Sequence, residues 1–191
     1  MFKKKRRNVL SKDEQMYLLE FARKTIEAKL RGEVPPTYDK NFPRLKEERG
    51  AFVTLNKNKN LRGCIGLITG IKPLYQTIQE IAEAAAFQDP RFPPLTEAEL
   101  PETTLEISVL TPMRKISNIK KIKVRRHGLF IKFGNAQGLL LPQVATNNNW
   151  NRKTFLEHTC LKAGLPKDTW KNPDTEIMIF SAQVFEEESK K

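Results

Sequence analysis

Apolar positions along this chain recur with two periods, and each period predicts its own kind of element. Leu18, Leu19, Ala22, Ile26 and Leu30 repeat at helical spacing down to Arg31-Gly32, and Ser11 with Glu14 fits a capping box opening that helix. Leu74, Ile78, Ile81, Ala82 and Ala85 form a second helical stripe, with Pro73 placed at its first turn and Asp89-Pro90 ending it. A third helix over 151–163 carries Phe155, Leu156, Thr159, Cys160 and Ala163 on one face and closes at Gly164 before Pro166. Elsewhere the period is two. Residues 51–55 and 61–68 flank the polar run 56–60 as a β-hairpin, and 129–133 with 139–141 flank 134–138 as a second. Residues 103–110, with Leu105, Ile107 and Val109 alternating, predict a strand, and 176–185 predict a last one. An irregular linker fills 34–48, and the loop 89–96 is stiffened by three prolines. Hairpins mixed with separate helices predict an α+β fold with largely antiparallel sheet. One domain over 10–186 is expected, with a basic tail at 1–9 and a lobe boundary near 89–120.

Composition changes this picture little and charge distribution more. With 191 residues and 39% hydrophobic content, the chain can bury the core of one domain or two small lobes. Its longest apolar runs are too short to cross a bilayer, and the basic residues 1–8 lack the apolar stretch of a secretory signal. Two cysteines in the whole chain point to free thiols in a reducing cytoplasm. The net charge is +12, unevenly spread: residues 61–113 hold three Lys/Arg against seven Asp/Glu, and residues 114–171 thirteen against two. A basic patch of that kind attracts polyanions such as nucleic acid. No aromatic residues interleave the basic cluster over 114–126, so a solvated lysine-rich surface accounts for it better, and nucleic-acid binding is not favoured.

Candidate chemistry centres on Leu61-Arg62-Gly63-Cys64-Ile65-Gly66. Gly63 and Gly66 permit a sharp turn or a close backbone approach, and a guanidinium such as that of Arg62 favours the reactive thiolate of a neighbouring cysteine. The same residues suit a tight bend around a small buried side chain. In a regular strand Arg62 and Cys64 share a face; a bulge breaks that relation. Asp89, Arg91 and Phe92 form a second cluster. Asp89 suits a turn cap paired with Arg91 while Phe92 fills the core; alternatively Arg91 grips a carboxylate or phosphate. His158 lies away from the apolar face of its helix, towards solvent or towards another lobe, where it would serve as base for Cys64. Gln143 is a polar residue in an apolar segment, suited to a ligand or to a backbone group. Cys160 belongs to packing, and His127 to a turn. His158 and Cys160 have no partners at metal-ligand spacing, and neither a glycine-rich nucleotide loop nor a hydrolase elbow is present, so no metal and no cofactor is expected.

The segments GAFVTL (50–55), LRGCIG (61–66), DPRFPPLT (89–96), LEISVLTP (105–112), GLLLPQVA (138–145) and FLEHTCLKAGLP (155–166), in this order, resemble the AMMECR family, also called AmmeMemoRadiSam system protein A. The resemblance implies two intertwined α+β lobes with mostly antiparallel sheets flanked by helices, and it implies no reaction. The charged and thiol residues concentrated in rigid, glycine- or proline-defined segments point instead to an unknown small molecule, bound or transformed in a cleft between the lobes around LRGCIG. Cys64 and His158 would be catalytic there, with Arg62, Gly63, Gly66, Asp89, Arg91, Phe92 and Gln143 binding the ligand. The family name also implies an alternative: an accessory partner of Memo-type or radical-SAM proteins.

Overall fold

The computed structural model describes residues 9–188; of the basic tail expected at 1–9, all but Val9 lies outside them. The chain builds two units. The first runs through Val109 and resumes at Gln183, and the second is Leu110–Ala182. The α+β reading holds in both.

The first unit opens with α1 (Lys12–Arg31). The Ser11 side chain accepts the Glu14 N–H while the Glu14 carboxylate accepts the Ser11 N–H, a complete capping box, and Gly32 closes the helix at φ 67°. The linker that follows is pinned. Tyr38 stacks on Tyr75 with ring centroids 4.2 Å apart, and a single 3₁₀ turn at Pro43–Lys46 buries Leu45 completely. Then come β1 (Ala51–Lys57) and β2 (Asn60–Leu67), joined by Asn58-Lys59, both at positive φ. The hairpin is therefore tighter than expected, because this two-residue turn matches the twist of its strands. α2 (Leu74–Phe87) and β3 (Thr103–Leu110) complete the outward run. Pro73 flanks α2 and is not within its first turn.

The four-stranded sheet has the order β2-β1-β3-β8, where β8 is Ala182–Glu186. β1 pairs antiparallel with both β2 and β3. Ala51, Val53 and Leu55 face the helices with Leu105, Ile107 and Val109, joining Leu18, Ala22, Ile26, Ile78 and Ala82 in one core. Thr54, Cys64 and Glu106 alternate to the opposite face of that sheet.

The second unit has a four-stranded sheet of order β4-β7-β5-β6: β4 (Arg114–Ile116), β5 (Gly128–Phe133), β6 (Ala136–Leu140) and β7 (Glu176–Phe180). α3 (Pro142–Asn147) and α4 (Arg152–Lys162) accompany it. Phe155, Leu156 and Cys160 of α4 pack with Ile116, Ile122, Leu129, Ile131 and Ile179.

One expectation is corrected, and two elements that the pattern did not assign are added. The single closing strand over 176–185 is two strands in two sheets, interrupted at Ser181. Thr111 Oγ1 accepts the Ser181 N–H at 2.9 Å and the Ser181 carbonyl accepts the Thr111 N–H at 2.8 Å, which satisfies the backbone where the ladder stops. The basic stretch from Arg114 contains a strand, held by its pairing with β7 and by buried Ile116. Residues 142–147 are helical, because Pro142 supplies the fixed φ of a first helical position.

Candidate functional site

Gly63 sets the geometry. A Cβ at this position would stand 2.1 Å from the Ala85 carbonyl oxygen, so only glycine lets β2 lie this close to the last turn of α2. That contact brings the next residue, Cys64, beside Asp89, which follows α2 by two positions. The Cys64 N–H donates to Asp89 Oδ2 at 2.8 Å. Gly66 has the same requirement one step on, where a Cβ would meet the Phe52 ring and the Ala51 carbonyl.

Asp89 organises what surrounds the thiol. Its buried carboxylate accepts the Arg91 N–H at 3.1 Å, Arg91 Nε at 2.9 Å and Arg91 Nη2 at 2.7 Å. The hydrogen bonds from the Arg91 side chain, helped by the N–H groups of Cys64 and Arg91, outweigh burial and hold the Asp89 carboxyl far below the usual carboxylate range. Arg91 Nη2 also donates to the Cys64 carbonyl at 3.1 Å. Asp89 therefore caps the turn and pairs with Arg91, which reaches back over β2. Asp89 first, and more weakly the Cys64 side chain, raise the Arg91 guanidinium's hold on its proton. The Arg91 side chain is 54% exposed, and among the described residues its hydrogen bonds use Nε and Nη2.

The Cys64 side chain is half-buried, and Thr54 Oγ1 donates to its Sγ at 3.3 Å. Arg62 is not the cation beside it. The β1–β2 register passes from Leu55↔Gly63 to Asn56↔Leu61, so Arg62 is the extra residue of a β-bulge and leaves the alternation. Its guanidinium forks onto Glu99, Nε to Oε1 at 3.0 Å and Nη2 to Oε2 at 3.1 Å. Those bonds, with further ones from Thr96, bring the Glu99 carboxyl down to about 2. Phe92 is not core filling: its half-buried ring has the Arg91 guanidinium 5.6 Å and the Arg62 guanidinium 6.0 Å from its centroid. Arg62 thus braces the Phe92 loop, while Arg91 is the cation at the thiol.

Cys64, Arg62, Gly63, Gly66, Asp89, Arg91 and Phe92 all lie in the first unit. His158 and Gln143 belong to the second. His158 is exposed on α4 and stacks on Trp150, with ring centroids 3.9 Å apart; Gln143 is half-buried in the first turn of α3. Among the described residues no three His, Cys, Asp or Glu side chains gather as a metal site requires, and no helix is long and apolar enough to cross a membrane. Two polar residues of the site escape a reading of local pattern: Thr54, the partner of Cys64, and Glu106, the partner of Thr54 on β3. The available signal was a charged side chain within the apolar alternation of β3.

This arrangement can hold a small anion at Arg91 with a thiol beside it. The chain is similar to proteins of several archaea: it is 46% identical to protein MK0488 of Methanopyrus kandleri over 94% of this chain and 91% of that one. It is 44% identical to protein NEQ441 of Nanoarchaeum equitans over 91% of this chain and all of that one. The crystal structure of the uncharacterized protein PH0010 from Pyrococcus horikoshii matches with a TM-score of 0.86 and 41% identity, covering 94% of both chains. The AMMECR1 family model matches residues 19–185, and the chain belongs to that family.

Proposed function

We propose that the first unit binds a small anionic ligand at Arg91 and presents it to the Cys64 thiol, as a thiol-dependent ligand site or enzyme. The observation that carries this reading is the fixed Cys64–Asp89–Arg91 arrangement. The buried Asp89 carboxylate orients both the Cys64 N–H and the Arg91 fork, and the exposed Arg91 side chain stands beside a half-buried sulfur. Guanidinium is the group of choice for carboxylate or phosphate. The Thr54 hydroxyl points a donor at the sulfur, as a working thiolate requires. Such a thiol works in a reducing compartment, so the reading carries a cytoplasmic location with it.

Paired alkylation with iodoacetate and iodoacetamide tests this reading. In both reagents sulfur forms the bond to carbon and iodide leaves; only iodoacetate carries a carboxylate. Cys64 is expected to favour iodoacetate relative to a free-thiol standard, and Arg91→Gln to remove that preference. Equal relative rates in wild type and variant overturn the anion site, and an inert Cys64 overturns the thiol role.

A further inference from the structure

The face of the first sheet opposite its helices carries a row of three functional side chains. Thr54 is the direct cross-strand partner of Cys64 on one side and of Glu106 on the other. Direct partners of this kind have Cβ atoms about 5 Å apart, within the reach of a glutamate side chain directly or through one water. We infer that Glu106 is the proton-accepting positioning residue of the Cys64 site and acts through the Thr54 hydroxyl; the inference rests on the thiol reading proposed above.

Three observations support it. The Thr54 hydroxyl donates to sulfur, the direction that stabilises a thiolate once a proton has passed the other way. Glu106 is half-buried, and no hydrogen bond to a cation neutralises it among the described residues. The charged group facing it from β8 is Glu186; this like charge, added to the larger effect of burial, pushes the Glu106 carboxyl up, towards the range of a useful proton acceptor. One step along the same face, Asn56, Thr104 and Glu186 line a groove of about 720 Å³.

The transfer balances without a further reactant. The Cys64 S–H bond breaks and its proton goes to Thr54 Oγ1. The Thr54 hydroxyl proton passes to a Glu106 carboxylate oxygen, and the negative charge moves from Glu106 to sulfur. In the product state Glu106 donates to Thr54 and Thr54 donates to the thiolate.

The test is the pH profile of Cys64 alkylation by iodoacetamide in the full chain, read by peptide mass spectrometry for Glu106→Gln, Thr54→Val and Thr54→Ser. Glu106→Gln and Thr54→Val should each slow Cys64 about tenfold near pH 7, with the rates converging at high pH where hydroxide removes the proton. Thr54→Ser should restore the wild-type rate, and the double variant E106Q/T54V should be no slower than either single one. A structural role would not give convergence at high pH or rescue by serine. If Glu106 is only a like charge near sulfur, Glu106→Gln speeds alkylation, which overturns the inference. Unchanged rates in both variants also overturn it while leaving the thiol reading in place. An inert wild-type Cys64 overturns both.

Discussion

The backbone N–H of Cys64 donates to the carboxylate of Asp89 at 2.8 Å, joining a strand to the loop that follows a helix. The same carboxylate holds Arg91 through both its side chain and its backbone. A buried group with this many partners leaves several donors unsatisfied when it is removed. Asp89→Ala is expected to destabilise the protein by about 2–3 kcal/mol in urea unfolding. Asp89→Asn, which keeps one acceptor oxygen, should cost less. A loss below about 0.5 kcal/mol for the alanine variant would show that the carboxylate does not hold this corner together.

Stability should vary with pH in two opposite ways. Asp89 and Glu99 have folded carboxyls held below their ordinary values, so the unfolded chain binds more protons in acid. Their contribution is present above the ordinary carboxylate range and is lost as the pH falls; for Glu99 the loss runs from 4.5 down to about 2. Glu99→Gln should flatten the fall in melting temperature over that interval. Glu106 has the opposite sign. Its folded carboxyl is raised by burial and by Glu186, so its contribution is present in acid and lost as the pH rises. Glu106→Gln should therefore melt above wild type near pH 7 and close to it near pH 4.

Two glycines separate space from backbone conformation. Gly63→Ala drives a Cβ to 2.1 Å from the Ala85 carbonyl, and neither the strand nor the helix backbone yields cheaply. A loss of about 3 kcal/mol is expected. Gly32→Ala meets nothing within 4 Å, and its cost comes from φ 67° alone, about 1 kcal/mol. Thermal melts that rank the two the other way would contradict the close packing of β2 on α2.

The two thiols should react in sequence. Cys160 has no exposed surface in the core of the second unit, and burial pushes its thiol up, whereas Cys64 is half-exposed. In native protein an alkylating agent should label Cys64 first, with Cys160 labelled only in denaturant. Labelling of Cys160 at the same native rate would mean that the second core opens readily.

Much of the fold was legible in the chain because its causes are local. The Ser11–Glu14 capping box, the apolar stripe from Leu18 to Ile26, the alternation of Leu105, Ile107 and Val109, and Gly164 behind its helix are written in neighbouring residues. The six signature segments carried the family. The glycines around Cys64 left a sharp turn and a close approach both open. What that approach met was decided by the tertiary structure, because the Ala85 carbonyl and Asp89 come from another element. Local pattern left open whether Arg62 and Cys64 share a face; a bulge and the distant Glu99 carboxylate take Arg62 away, and Arg91 takes its place. It read residues 176–185 as one strand; that run divides between two sheets at Ser181, which exchanges a pair of hydrogen bonds with Thr111, seventy positions upstream. Periodicity determines which face of each element is apolar. Which side chains meet across elements depends on register and close approach, and both belong to the folded chain alone.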